Sequence, residues 1–277
     1  MAIAENPKKF DFHTHHDRCG HAEGSIRDYV EAAIEKGLDM IGISDHSPHF
    51  YSEKDCLHPG IAMAKSEFKH YVEEVLALKE EYKDQIEILL GVESDFFPEY
   101  CHLYKAEYAK YPFDYIIGSV HYVDDINIFQ KGRWDNLTET QKVATKETYY
   151  RLIQQSATCG QFQILGHIDA MKGFYPPFSS IQTEAVEQTL KIIAQHELAI
   201  EINTSGKTKD CGGWYPSDDI LERALYYGVD VTFGSDAHIP DRVGDEFAEV
   251  RQHLKSIGFT KWCYFRQKQK LYSSLFD

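Results

Sequence analysis

Short apolar runs alternate with amphipathic stretches along the whole chain. Seven runs rich in β-branched and aromatic residues read as strands: Phe10–His15, Met40–Ser44, Ile86–Val92, Tyr115–His121, Gln163–His167, Ala199–Asn203 and Asp230–Gly234. They are short and nearly continuous in apolar character, as strands of a sheet covered on both faces are. Between them apolar positions recur at helical spacing. In Ser25–Lys36, the residues Ile26, Tyr29, Val30, Ala33 and Ile34 make one stripe. Ser25 and Asp28 supply an N-terminal cap there, and Gly37 a stop. Ala64–Tyr82, Thr140–Thr158, Ile181–His196, Asp218–Tyr227 and Phe247–Ile257 read as helices in the same way, with Gly160, Gly228 and Gly258 following three of them. Alternating strands and helices build a parallel α/β sheet with right-handed crossovers. Seven such units in 277 residues fit a closed or nearly closed barrel better than an open doubly wound sheet. No repeat, linker or charge block divides the chain, so a single domain over residues 1–277 is expected.

Composition narrows the function classes. At 43% hydrophobic and 26% charged, the chain has the make-up of a globular protein rather than a disordered one. No apolar run approaches the roughly 18 residues of a membrane span. Residues 1–9 carry no signal-like apolar stretch, so a cytoplasmic location is the expectation. The net charge of −15 argues against gripping a nucleic-acid backbone. The six cysteines form no C-x-x-C pair and read as free thiols. No glycine-rich phosphate loop is present. The 14 histidines are the feature that composition leaves to be explained.

Their positions suggest the explanation. His13 and His15 end the first strand, Asp45 and His46 follow the second, and Glu93 ends the third. His121 ends the fourth, His167 the fifth, and Asp236 and His238 follow the seventh; His21 lies before the first helix. In a parallel barrel the C-terminal strand ends converge on one face, where active sites lie. Residues two apart on a strand point the same way, so His13 and His15 can grip one ion. Imidazole and carboxylate together suit zinc, manganese or iron. Seven histidines, Glu93 and Asp236 are too many ligands for one tetrahedral ion, which predicts a multinuclear centre of two to three metals.

As an ordered set, Phe10-Asp11-Phe12-His13-Thr14-His15, His21, Ser44-Asp45-His46, Gly91-Val92-Glu93, Gly118-Ser119-Val120-His121, Gly166-His167 and Gly234-Ser235-Asp236-Ala237-His238 resemble the polymerase and histidinol phosphatase (PHP) family. The resemblance runs from Phe10 to about Phe247. It implies a distorted seven-stranded (β/α) TIM-like barrel with a trinuclear site at its C-terminal face. By analogy, His13, His15, Glu93 and Asp236 would bind one metal. Glu93 would bridge to a second held by His121 and His167, and His21, His46 and His238 would hold the third. Within the family, Glu201-Ile202-Asn203-Thr204-Ser205-Gly206 and Tyr215-Pro216-Ser217 are most similar to bacterial histidinol-phosphatases. That implies L-histidinol phosphate as substrate, with inorganic phosphate as a product. Where such enzymes often carry arginines, this chain has Met171-Lys172 and Lys207-Thr208-Lys209.

The chemistry that follows is attack on phosphorus by a metal-bridging hydroxide, with metals taking the charge on the phosphoryl oxygens. Glu93, His121 and Asp236 would act at the reacting centre, and Asp45 would orient a ligand histidine. Lys172, Lys207, Lys209, Arg242 and Arg18 are the candidate phosphate contacts. Three other readings stand beside this one. They are a PHP phosphatase acting on a nucleotide or phosphotyrosine, an amidohydrolase or DNase on a related barrel, and a metal-binding module without turnover.

Overall fold

The computed structural model describes residues 7–276. The residue 1–6 part of the signal-peptide reading lies outside them. The elements, in chain order, are β1 (Phe10–Asp11), α1 (Ile26–Glu35), β2 (Met40–Ile43), α2 (Lys65–Glu81), β3 (Glu87–Leu90), β4 (Glu93–Asp95) and α3 (Cys101–Tyr108). Next come β5 (Ile117–Ser119), β6 (Tyr122–Val123), β7 (Ile126–Asn127), α4 (Glu139–Thr158), β8 (Ile164–Leu165), α5 (Ala185–Gln195) and β9 (Ala199–Asn203). The last are α6 (Asp218–Tyr227), β10 (Asp230–Gly234), α7 (Phe247–Ile257), β11 (Lys261–Arg266) and β12 (Gln269–Ser274). Among the described residues no helix is long and apolar enough to cross a membrane.

The architecture is α/β with parallel pairing throughout the central strands. One sheet has the order β1-β2-β3 and the other β10-β9-β8-β5-β4. Each sheet touches the other at both ends. Phe12 N donates to Phe233 O at 3.2 Å and His15 N to Ala237 O at 2.9 Å, which lays the end of β1 along the end of β10. An isolated bridge pairs His46 with Glu93 at the other side. The interior is filled by aromatic rings. The Tyr115 hydroxyl donates to Phe12 O at 2.6 Å across the sheet. Room for that ring comes from two glycines: a Cβ on Gly42 would lie 1.9 Å from the Tyr115 oxygen, and one on Gly91 2.3 Å from its ring.

Local capping follows the sequence. Ser25 and Asp28 form a reciprocal capping box on α1. Two expectations need correction. The helix expected over Ile181–His196 starts at Ala185, after a 3-10 turn at Pro176–Ser180. The first strand, expected to reach His15, keeps regular pairing only to Asp11. The basic C-terminal stretch Lys261–Lys270 forms most of the β11–β12 hairpin, with Trp262, Cys263, Tyr264 and Phe265 buried. The Trp262 ring packs in tilted contact with Phe247 and Phe10, centroids 4.7 and 4.8 Å away, so this hairpin covers the apolar end of the core.

Candidate metal centre

The nine candidate ligands come together. All but His21 lie at or just beyond the end of a parallel strand; five histidines meet around Glu93, and Asp236, His238 and His21 continue the cluster from His15. Glu93 Oε2 faces His46 Nδ1 at 2.8 Å, His13 Nε2 at 3.4 Å and His15 Nε2 at 3.7 Å. Its Oε1 faces His167 Nε2 at 3.1 Å and His121 Nε2 at 3.4 Å. Asp236 Oδ1 lies 3.0 Å from His15 Nε2 and 3.7 Å from His13 Nε2. His238 Nε2 approaches His21 Nε2 to 2.9 Å, and His121 Nε2 approaches His167 Nε2 to 3.2 Å. Ring nitrogens aimed at one another in this way are arranged to share a cation.

Backbone shape helps to aim them. His167 and Asp236 sit at φ 27° and 54°, a left-handed region that non-glycine residues seldom occupy. Such strain collects at functional sites. Gly234 leaves space beside them: a Cβ there would lie 2.1 Å from Glu201 Oε1 and 2.6 Å from the His13 Cβ.

A second layer fixes the imidazoles. Glu201 holds His13 Nδ1 at 2.6 Å, Asp45 holds His15 Nδ1 at 3.1 Å and Asp95 holds His121 Nδ1 at 2.7 Å. His238 Nδ1 donates to the Asp236 carbonyl at 2.9 Å. In each case the other nitrogen is left facing inward, as the partner behind a metal-bound imidazole requires. Ser119 Oγ donates to Glu93 Oε1 at 2.6 Å, and Ser205 Oγ and Asn203 Nδ2 donate to Asp236 Oδ2. Ser119, Glu201, Asn203 and Ser205 entered the sequence reading only as members of the resembling segments, with no role given, and Asp95 did not enter it. The available signal was spacing: Asp95 stands two residues after Glu93, and Glu201 two before Asn203.

The electrostatics show what the cluster lacks. Burial opposes charge on Glu93, but the surrounding His13, His46 and His121 outweigh it and hold the carboxyl well below its usual range. For Asp236, His13 and His15 do the same. Burial likewise disfavours charge on His15, yet Asp236 and Asp45 push it up to about 9. His21 and His238, with cationic neighbours instead, are pushed down to about 4 and about 3, burial being the first cause for both. Without a metal, only protonated imidazoles can balance these buried carboxylates.

His13 Nε2, His15 Nε2 and Glu93 Oε2 are buried and, for all the short approaches around them, none of these approaches has the angles of a hydrogen bond. Such atoms are rare unless something fills the gap between them. Candidate three-ligand groups overlap there: His13, His15 and Glu93; His15, His46 and His238; and His46, Glu93 and His121. The donor set of imidazoles and carboxylates fits divalent transition ions.

Above the cluster opens a cavity of about 580 Å³, walled by Ile61, Asp95, Tyr122, Phe129, Phe174, Lys209 and Arg242 among others. A larger cleft of about 750 Å³ lies at the opposite end of β9 and β10 and contains none of the nine ligands. Of the candidate phosphate contacts, Lys209 and Arg242 reach the cavity wall. The other three do not, because carboxylates hold them elsewhere. Arg18 pairs with Glu74 at 2.6 Å and Glu67 at 3.4 Å, Lys172 with Asp169 at 2.8 Å, and Lys207 with Glu246 at 3.5 Å.

A family model described as the PHP domain matches residues 11–205. The chain belongs to the PHP family. Among curated relatives, the histidinol-phosphatase of Bacillus subtilis is 30% identical over 259 residues, covering 86% of this chain and 96% of that protein. A probable histidinol-phosphatase of Deinococcus radiodurans is 29% identical over 252 residues, covering 90% and 93%. Among solved structures, a histidinol phosphate phosphatase from Lactococcus lactis, complexed with zinc, L-histidinol and phosphate, superposes with a TM-score of 0.77. It is 23% identical and covers 95% of this chain and 98% of its own, so it establishes a common PHP fold.

Within this PHP site, replacing Glu201 with glutamine is expected to weaken metal binding about 10- to 100-fold, the usual effect of losing a partner behind a ligand. Metal titration of the purified variant measures it, and unchanged affinity would remove Glu201 from that role.

Proposed function

We propose that this chain is a metal-dependent phosphomonoesterase that hydrolyses L-histidinol phosphate to L-histidinol and inorganic phosphate. The observation that carries the reading is the convergence of buried, unpartnered His13 Nε2, His15 Nε2 and Glu93 Oε2 beneath an open cavity. The kinship with histidinol-phosphatases supplies the substrate.

Two to three zinc, manganese or iron ions would be held by His13, His15, His21, His46, Glu93, His121, His167, Asp236 and His238, with Glu93 the carboxylate common to most of these imidazoles. Bound there, such ions would lower the pKa of water and offset negative charge on the phosphoryl oxygens. The chain does the rest. Asp45, Asp95 and Glu201 lock imidazole orientation through Nδ1. Asp236, oriented by Asn203 and Ser205, keeps one oxygen directed at His15. Lys209 and Arg242 present positive charge to the outer phosphate oxygens. Lys209 lies over the Phe129 and Phe174 rings at 6.0 and 5.7 Å and makes no ion pair among the described residues, so it is free to do so. Arg242 is braced by Asp245 at 2.7 Å.

The same reading takes residues 1–277 as one domain. Its parallel strands close through the β1–β10 and His46–Glu93 contacts into a distorted seven-stranded barrel, with β3 and β4 as one interrupted strand. It is a cytoplasmic enzyme of small molecules, not of nucleic acid.

Lys209→Ala tests the phosphate contact. Losing a charge-assisted hydrogen bond is worth about 1.5–3 kcal/mol, so kcat/KM should fall roughly 10- to 150-fold. Metal content, measured by elemental analysis, should stay constant. A variant with wild-type kinetics would place the phosphate elsewhere.

A further inference from the structure

We propose that Cys101 and Cys159 form a redox-modification site: a hydroperoxide joins their sulfurs in a disulfide, and a small thiol reopens it. Neither residue lines the cavity above the metal cluster or belongs to the cluster itself. The proposal therefore does not depend on the phosphatase reading.

The two sulfurs come from segments far apart in sequence. Cys101 opens α3, directly after a 3-10 turn at Pro98–Tyr100, and Cys159 directly follows α4. Gly160, at φ 69°, then ends the helix in a left-handed turn. Beyond it, Gln161 holds both sulfurs. Its buried side chain accepts from the Cys101 thiol through Oε1 at 3.3 Å, and its backbone N–H faces the Cys159 sulfur. The Cys159 thiol is in side-chain contact with that of Cys101. A few residues away on the same two segments, the Phe96 and Phe162 rings pack edge to face with centroids 6.2 Å apart, which keeps the segments side by side. The other four cysteines differ. Cys19 and Cys263 are fully buried, and the thiols of Cys56 and Cys211 are directed at the carbonyls of Ala62 and Gly206. Cys101 and Cys159 are half-buried, within reach of a small oxidant and of a small thiol.

The chemistry balances with the hydroperoxide as sole oxidant. The Cys101 sulfur attacks one peroxide oxygen, the O–O bond breaks, and the thiol proton leaves with the departing oxygen, so Cys101 becomes a sulfenic acid. The Cys159 sulfur then attacks the Cys101 sulfur. The S–O bond breaks as S–S forms, and the hydroxyl leaves as water with the Cys159 proton. With hydrogen peroxide, two thiols give one disulfide and two waters; the sulfurs lose two electrons and the peroxide oxygens gain them. Burial, and after it the Cys101 sulfur, push the Cys159 thiol up to about 12, so Cys159 stays protonated while Cys101 meets the oxidant. The contribution of Cys101 to that shift ends once its sulfur is a neutral sulfenic acid, which frees Cys159 to attack. Thiol–disulfide exchange with a small thiol returns both sulfurs to the reduced state.

The test treats the zinc-loaded protein, whose metal has no redox chemistry of its own, with equimolar hydrogen peroxide and counts thiols after denaturation. Two thiols should be lost, and dithiothreitol should restore both. Peptide mass mapping should find one cross-link, between the Cys101 and Cys159 peptides. The oxidised chain should have the higher Tm, because the bond closes the segment from α3 to the end of α4 into one loop. In Cys159→Ser, dimedone should trap a sulfenic acid at Cys101, and no cross-link should form. Retention of both thiols, oxidation that falls first on Cys56 or Cys211, or a wild-type Cys101 that accumulates as sulfenic or sulfinic acid would overturn the inference. So would a cross-link that lowers Tm, since the sulfurs would then meet only in a distorted chain.

Discussion

Replacing Glu93 with glutamine is expected to lower kcat/KM at least about a thousandfold, the scale of losing an essential electrostatic element. Five imidazoles face its two oxygens within 3.7 Å, and Ser119 adds a hydrogen bond at 2.6 Å. Glutamine keeps the shape but removes the charge and turns an N–H₂ donor toward ring nitrogens that must themselves bind metal. At least one ion should be lost with the activity. The fold should survive, because the core beneath the site is made of apolar residues such as Phe12, Ile43 and Tyr115. Circular dichroism, elemental analysis and steady-state kinetics on one preparation separate these effects. Near-normal turnover would refute a shared-ligand role for Glu93.

Stripping the protein with a chelator is expected to abolish turnover, and manganese, zinc or iron should restore it, with two to three ions bound per chain. Less than one ion per chain after reloading would contradict the nine-ligand site. Proton release should accompany the reloading. In the metal-free chain burial opposes charge on His13, His15 and His121, but nearby carboxylates overcome it; His15 and His121 are each raised to about 9. These imidazoles carry protons at neutral pH until an ion displaces them. Metal affinity should therefore rise with pH through the neutral range and fall on acidification. Calorimetric titration in buffers of differing ionisation enthalpy counts the protons released.

Much of this was legible before any coordinates. β9 and β10 match the sequence-derived strands to the residue, because Ala199–Asn203 and Asp230–Gly234 are apolar runs bounded by turn residues. The gathering of the nine candidate ligands was legible too, since parallel topology alone brings strand C-termini together. The misses have physical causes. α3 and the β6–β7 hairpin are short elements stabilised by what they pack on, and a weak local pattern does not announce them. Asp95 and Glu201 look like any strand acid until an imidazole is seen behind the carboxylate. Arg18, Lys172 and Lys207 followed the right strands, but each is claimed by a carboxylate distant from the ligand motifs or folded back beside it. Such pairing is decided in three dimensions. Lys209 differs from Lys207 by two positions, and only the fold shows which of them faces the cavity.

The most direct test is kcat/KM for the metal-loaded protein across histidinol phosphate, a nucleoside monophosphate, phosphotyrosine, p-nitrophenyl phosphate and one phosphodiester. Histidinol phosphate should exceed every other ester by about tenfold or more, the discrimination that a few buried polar contacts provide. A phosphodiester preferred over all the monoesters, or no hydrolysis of histidinol phosphate with any of the three metals, would contradict the account.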